Sequence, residues 1–229
     1  MRSSLYSILS LFILIYLASC YPEFKNPIPP PAKLKADPQI LGTWVRTYKT
    51  EQDEYKEQLS IFSRSSGWID VVWIYDIEKE VSGDGINLIV LEGYNTSVNK
   101  QQFLCLRFRK KDFGYRSREE ALDPNDNEFG EAPFYICNYV TANSDELVIK
   151  PFSTQKVEEL IGKGKLKGDV VKGKLFKEPE PFLDKVTVTS SSDELVELIS
   201  KQGAGAIICD DPNDTFRDMN ILVFSKLGK

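Results

Sequence analysis

The chain has 229 residues, a net charge of −5 and no histidine, with 29 basic and 34 acidic side chains. That length suits one sizeable domain. The missing histidine excludes Ser-His-Asp and Cys-His catalysis, His-Glu-x-x-His zinc chemistry and the usual imidazole general base. The acidic balance gives no basic face for nucleic acid, so none is expected as a partner.

In chain order, the first element is an apolar run that begins at Leu5, behind a positive start at Arg2, and closes in Leu17-Ala18-Ser19-Cys20. It is shorter than the ~20 residues that cross a hydrocarbon core roughly 30 Å thick, and has the form of a signal-peptide h-region. Small residues before a cysteine form a lipobox, and here the chain resembles bacterial lipoproteins. The resemblance implies removal of residues 1–19, diacylation of the Cys20 thiol and acylation of its new amino group. No aspartate follows Cys20, since Tyr21 stands there. By the family's sorting rule this implies a lipid-anchored protein of the bacterial cell envelope, at the outer membrane.

Residues 20–38 hold six of the 12 prolines, including Pro29-Pro30-Pro31. Proline fixes φ and lacks an amide donor, which predicts an extended stalk that holds the domain away from the lipid. Residues 39–229 then form a single β-rich domain. Strands are predicted at Gly42 to Tyr48, Tyr55 to Phe62, Trp68 to Tyr75, Ile86 to Gly93 and Gln101 to Arg109. In the last of these, Phe103, Cys105 and Arg107 point one way, and Leu104, Leu106 and Phe108 the other. Short turns such as Ser65-Ser66-Gly67 and Ser82-Gly83-Asp84-Gly85 connect them into an antiparallel meander.

Residues 110–131 are a long charged loop. Strands resume at Phe134 to Thr141 and Glu146 to Phe152. Ser153 caps a helix over Gln155 to Ile161, ending at Gly162. Ser191 and Glu194 form a capping box for a second helix, which ends at Gly203. Val170-Val171 and Val186 to Val188 read as strands between the helices, and a last strand falls within Ile221 to Phe224. The fold class is mainly β with some α: an antiparallel β-barrel or a strongly curved sheet, with two short helices in the C-terminal half.

Gly42-x-Trp44 is similar to the opening of lipocalin-like barrels, which implies that Trp44 plugs the closed end and that Gly42 permits close backbone approach. Tyr139 with Asp145-x-Leu147-x-Ile149, Lys156-Val157-x-x-Leu160, Gly164 to Gly168, Val186-x-Val188-x-Ser190, Glu194-Leu195 and Thr215-Phe216-Arg217 extend the resemblance. Over residues 40–220 the chain resembles a group of bacterial envelope lipoproteins with a lipocalin-like domain. No established reaction attaches to that group, and it implies no cofactor.

Trp44, Trp68, Trp73, Tyr75 and Tyr94 are candidates to line a cavity for an apolar ligand, or simply to fill the core. A ligand site would show as connected interior space of a few hundred Å3, open at one end. Asp123, Asn125 and Asn127 have the 1-3-5 spacing of a calcium loop, but Glu128 and Phe134 stand where glycine and glutamate are needed. No metal site is expected. Gly162 to Gly168 is basic and glycine-rich, yet it follows a helix, and reads as a helix stop rather than a phosphate cradle. The two sequons at Asn95 and Asn213 are expected to stay unmodified in a bacterial envelope. Cys105 and Cys137 are read as buried free thiols, with a bridge possible if their strands face each other.

The sequence therefore points to a monomeric, non-enzymatic envelope lipoprotein whose β-domain binds a protein partner or an apolar ligand. The alternative is a hydrolase using two carboxylates, as glycosidases do.

Overall fold

Alternating side chains from Gly42 onward close into a barrel. The computed structural model describes residues 21–49, 54–75, 87–108, 132–142, 144–172, 185–209 and 221–228. A two-residue strand, β1 (Glu23–Phe24), is followed by β2 (Gly42–Lys49), β3 (Glu54–Ser63), β4 (Ile69–Tyr75), β5 (Asn87–Val98), β6 (Gln101–Phe108), β7 (Phe134–Ala142) and β8 (Glu146–Pro151). Helix α1 (Thr154–Gly162), strands β9 (Gly168–Val171) and β10 (Lys185–Val188), helix α2 (Ser192–Gln202) and strand β11 (Leu222–Lys226) complete the order.

Strands β2 to β8 form an antiparallel meander. β11 then inserts antiparallel between β8 and β2, which closes eight strands on themselves. Closure leaves the eight strands no free sheet edge. The barrel of the sequence reading, rather than the open curved sheet, is what forms, and it is lipocalin-like. β6 and β7 pair directly over six residue pairs, so the long segment between them does not interrupt the wall.

Register separates two cores. Trp44 pairs with Leu59, Leu59 with Trp73 and Trp73 with Ile89, so one face of each strand fills the interior. That inner core includes Leu104, Leu106, Tyr139, Leu147 and Phe224. The opposite face of β5 to β7 presents Tyr94, Val98, Phe103, Cys105 and Ile136 outward, where Val157 and Leu160 of α1 and Leu195, Leu198 and Ile199 of α2 cover them. Both helices start as their caps require. The Ser153 hydroxyl accepts from the Lys156 amide, and Ser191 and Glu194 make the reciprocal capping box. Gly162 to Gly168 is indeed a helix stop and turn, with the amides of Lys165 and Leu166 both donating to the Leu160 carbonyl.

Three features differ from the sequence reading. First, the segment assigned as a free stalk is packed on the barrel. Phe24, Ile28 and Ala36 are buried, β1 pairs with both β10 and β7, and Tyr94 Oη donates to the Ile28 carbonyl at 2.6 Å. Its prolines leave carbonyls free to accept, and the barrel uses them: Thr96 Oγ1 donates to the Pro29 carbonyl at 2.9 Å. Second, β5 continues through Gly93 to Val98. Gly93 is an approach point and not a strand end, because a Cβ there would lie 1.9 Å from the Cys105 carbonyl oxygen. Asn99 and Lys100, both at positive φ, make the two-residue hairpin turn that follows. Third, Gly42 does not serve close approach. Its Cβ would meet only the Lys226 side chain at 3.5 Å, and the constraint is its φ of +122°.

Candidate functional site

One end of the barrel is plugged. Trp44 is fully buried and its Nε1 donates to the Ile40 carbonyl at 2.8 Å. The Lys226 ammonium lies 5.0 Å from the centroid of its ring. Tyr139 Oη donates to Asp37 at 2.9 Å, tying the chain before β2 across the same end. Burial, and then that contact with Asp37, pushes the Tyr139 phenol well above its ordinary 10.0. The plug expected of Trp44 is therefore present.

The other half of the interior holds a cavity of about 100 Å3. This falls short of the few hundred Å3 expected of a ligand site from the sequence. Its wall is made by residues of seven strands, among them Leu59, Val71, Leu91, Leu106, Cys137, Ile149 and Phe224. No lining residue carries a charge. The wall residues are buried, whereas Tyr21, Trp73, Phe108 and Tyr135 are half-buried and form the rim that reaches the surface.

The five aromatic candidates divide by strand parity. Trp73 lines the cavity and packs edge-on against Phe224, with centroids 6.5 Å apart. Trp44 lies at the plugged end. Trp68 and Tyr94 face outward and meet each other edge-to-face at 5.5 Å, as outer-core residues. The Tyr75 side chain lies outside the described residues, as do Cys20, the calcium-spaced residues Asp123, Asn125 and Asn127, and Asn213. Among the described residues no group of acidic, cysteine or histidine side chains could hold a metal. None of their helices is long and apolar enough to cross a membrane.

The lining residues Tyr21, Phe108, Tyr135, Cys137 and Pro151 were not singled out as candidates. Counting alternate positions from Trp44 through the hairpins would have found Phe108, Tyr135 and Cys137. Tyr21 gave no such signal, because the wall position it takes is set by tertiary packing. β8 pairs with β7 only as far as Cys137–Pro151, and β1 takes over that edge at Phe134. Tyr21 lies where one gives way to the other. The Tyr135 hydroxyl donates to Glu23 at 3.2 Å across this seam.

Cys137 faces the cavity and Cys105 the outer core. Leu104 pairs with Cys137 in register, so Cys105 is one residue off and on the opposite face of the wall. Both thiols are free. Burial pushes the Cys137 thiol up to about 12 and Cys105 higher still, which removes thiolate reactivity at neutral pH.

Two groups of charges are buried in the wall. Arg46 and Glu57 form an ion pair at 3.5 Å on inward positions. On the outer face, Glu92 accepts from Arg64 at 3.0 Å with one oxygen and from Arg107 at 2.8 Å with the other, and Arg64 also grips Asp70. Asp70 and Glu92 are cross-strand neighbours. Both carboxylates are engaged by arginine, in a geometry that clamps β4, β5 and β6 together.

Compared with known family models, curated proteins and solved structures, the chain matches none.

Proposed function

We propose that the protein is a lipid-anchored lipoprotein of the bacterial outer membrane, modified at Cys20, whose barrel binds a slender apolar ligand. The observation that supports ligand binding is the uncharged cavity rimmed by Tyr21, Trp73, Phe108 and Tyr135 in the half of the barrel away from Trp44. Its volume is the measure of what it takes. An apolar cavity of ~150 Å3 holds a benzene ring, so one of about 100 Å3 holds a few methylene groups of a chain and excludes a bulky ring system. The residues that line the cavity offer carbon surface and no carboxylate, and the inward Arg46–Glu57 pair is not among them, which suits a binder and not a hydrolase.

The anchor follows from Leu17-Ala18-Ser19-Cys20. The Cys20 sulfur forms a thioether to the diacylglyceryl carbon of a membrane phospholipid as the C–O bond to its phosphate breaks, so that the phosphorylated headgroup leaves and the thiol proton passes to solvent. Two or three acyl chains, at ~0.8 kcal/mol per buried CH2, hold a protein stably where one does not.

Purification of the full chain from bacterial membranes, with lipid content read by mass spectrometry, tests both parts. The expected result is acylated Cys20 and complete loss of membrane partitioning in Cys20→Ser. Cys20→Ser protein that stays with the membrane would sink the anchor. A Cys20→Ser barrel that fails to bind a fluorescent fatty acid at one site would sink the ligand reading.

A further inference from the structure

We propose that the cavity is occupied by one acyl chain of the protein's own lipidated Cys20. This rests on the anchor reading above and names the ligand. Tyr21 lines the cavity, and Cys20 is the residue before it. Consecutive Cα atoms are ~3.8 Å apart, so the covalent chain delivers the lipid to the edge of the cavity. No spacer separates them, because the segment from Tyr21 onward is held to the barrel through β1 and the buried Phe24 and Ile28.

The cavity fits that guest in chemistry and in size. Its lining is uncharged, with Leu104, Leu106, Ile149 and Phe224 deep inside and Tyr21 and Tyr135 at the seam. Between Phe108 and Leu104 on β6 it extends roughly 13 Å at ~3.3 Å per residue. A volume of about 100 Å3 over that depth takes part of one chain and leaves no room for a second. A tethered chain also has an effective concentration that a free ligand cannot match, since its binding is intramolecular. The barrel thus holds one chain of its anchor and leaves the others to the membrane, with this half of the barrel set against the bilayer.

The test is metabolic labelling of cells expressing the full chain with a diazirine-bearing fatty acid, followed by irradiation and peptide mass spectrometry. Labelled acyl groups on Cys20 should cross-link to peptides that carry Leu104, Leu106, Cys137 or Ile149. Leu106→Trp, which fills the cavity, should cut those cross-links at least fivefold, and the milder Ile149→Phe should cut them twofold or more if Leu106→Trp does not fold. Val140→Trp, on the exposed outer face, should leave them unchanged. Acylated Cys20 that cross-links only to membrane phospholipid would overturn this inference and leave the anchor standing. A Cys20 without acyl groups would overturn both.

Discussion

Glu92 shows how a single side chain can hold several strands. It is 2% exposed, yet it is a carboxylate, and burying it is tolerable only because Arg64 and Arg107 each reach one of its oxygens. Arg107 is held in turn between Trp68 and Phe134, with its guanidinium carbon 5.4 Å from each ring centroid. The hydrogen bond to Asp70 is the main cause that raises Arg64 above its ordinary value, with the Asp70 and Glu92 charges adding to it against burial. Removing the central charge leaves two arginines facing each other across a neutral amide. Glu92→Gln should therefore cost about 2–4 kcal/mol in urea unfolding. Asp70 is more exposed and solvent screens its pairing, so Asp70→Asn should cost under about 1 kcal/mol. Equal losses at the two positions would show that the cluster is a surface ornament.

At the scale of elements, the N-terminal segment matters most, because it joins the proposed anchor at Cys20 to the barrel. Phe24 is fully buried and meets Phe152 edge-on at 5.5 Å, inside the core shared by the barrel wall and both helices. Phe24→Ala should destabilise the whole domain by about 3–5 kcal/mol, as a large cavity in a core does. A thermal melt reads this directly, and a loss under about 0.5 kcal/mol is what a free stalk would give. The packing of this segment was not legible in its sequence. Phe24, Ile28, Ala36 and Ile40 stand four, eight and four residues apart in a segment broken by prolines, so no continuous alternating or amphipathic run marks them, and their burial follows from the surface that receives them. The strands and caps were legible because their signals are local. Alternation separated Leu104, Leu106 and Phe108 from Phe103 and Cys105, and Ser191 with Glu194 announced α2. The site was legible only in part. Grouping aromatic residues by type picked out Trp44, Trp68 and Tyr94, whereas a barrel sorts them by parity and by distance from its plug, and among the described side chains only Trp73 of that set lines the cavity.

At the scale of the whole molecule, the buried thiols and phenols among the described residues keep their protons, and this sets the response to alkali. Cys137 lies in the inner core, buried on the cavity wall, and Cys105 in the outer one, fully enclosed. Burial raises Cys137 from 9.0 to about 12, and burial followed by the neighbouring Cys137 raises Cys105 further. Burial is likewise the main cause that lifts Tyr94, Tyr135 and Tyr139 above 10.0. In every case the folded state keeps a proton that the unfolded chain releases. The stability from these groups is complete below about pH 9 and is lost as pH rises from there toward the folded values. Within that window each thiol removes up to ~1.4 kcal/mol per pH unit, and the two together about twice that. Urea midpoints should therefore be flat from pH 7 to about 8.5 and fall steeply by pH 10.5. Cys137→Val keeps an apolar side chain of similar size on the cavity wall, and should remove about half of the thiol contribution to that slope while changing stability at pH 7 by less than about 1.5 kcal/mol. An unchanged slope would mean that water reaches the Cys137 sulfur. The barrel interior would then be open well below its rim, and a single acyl chain could not keep it dry.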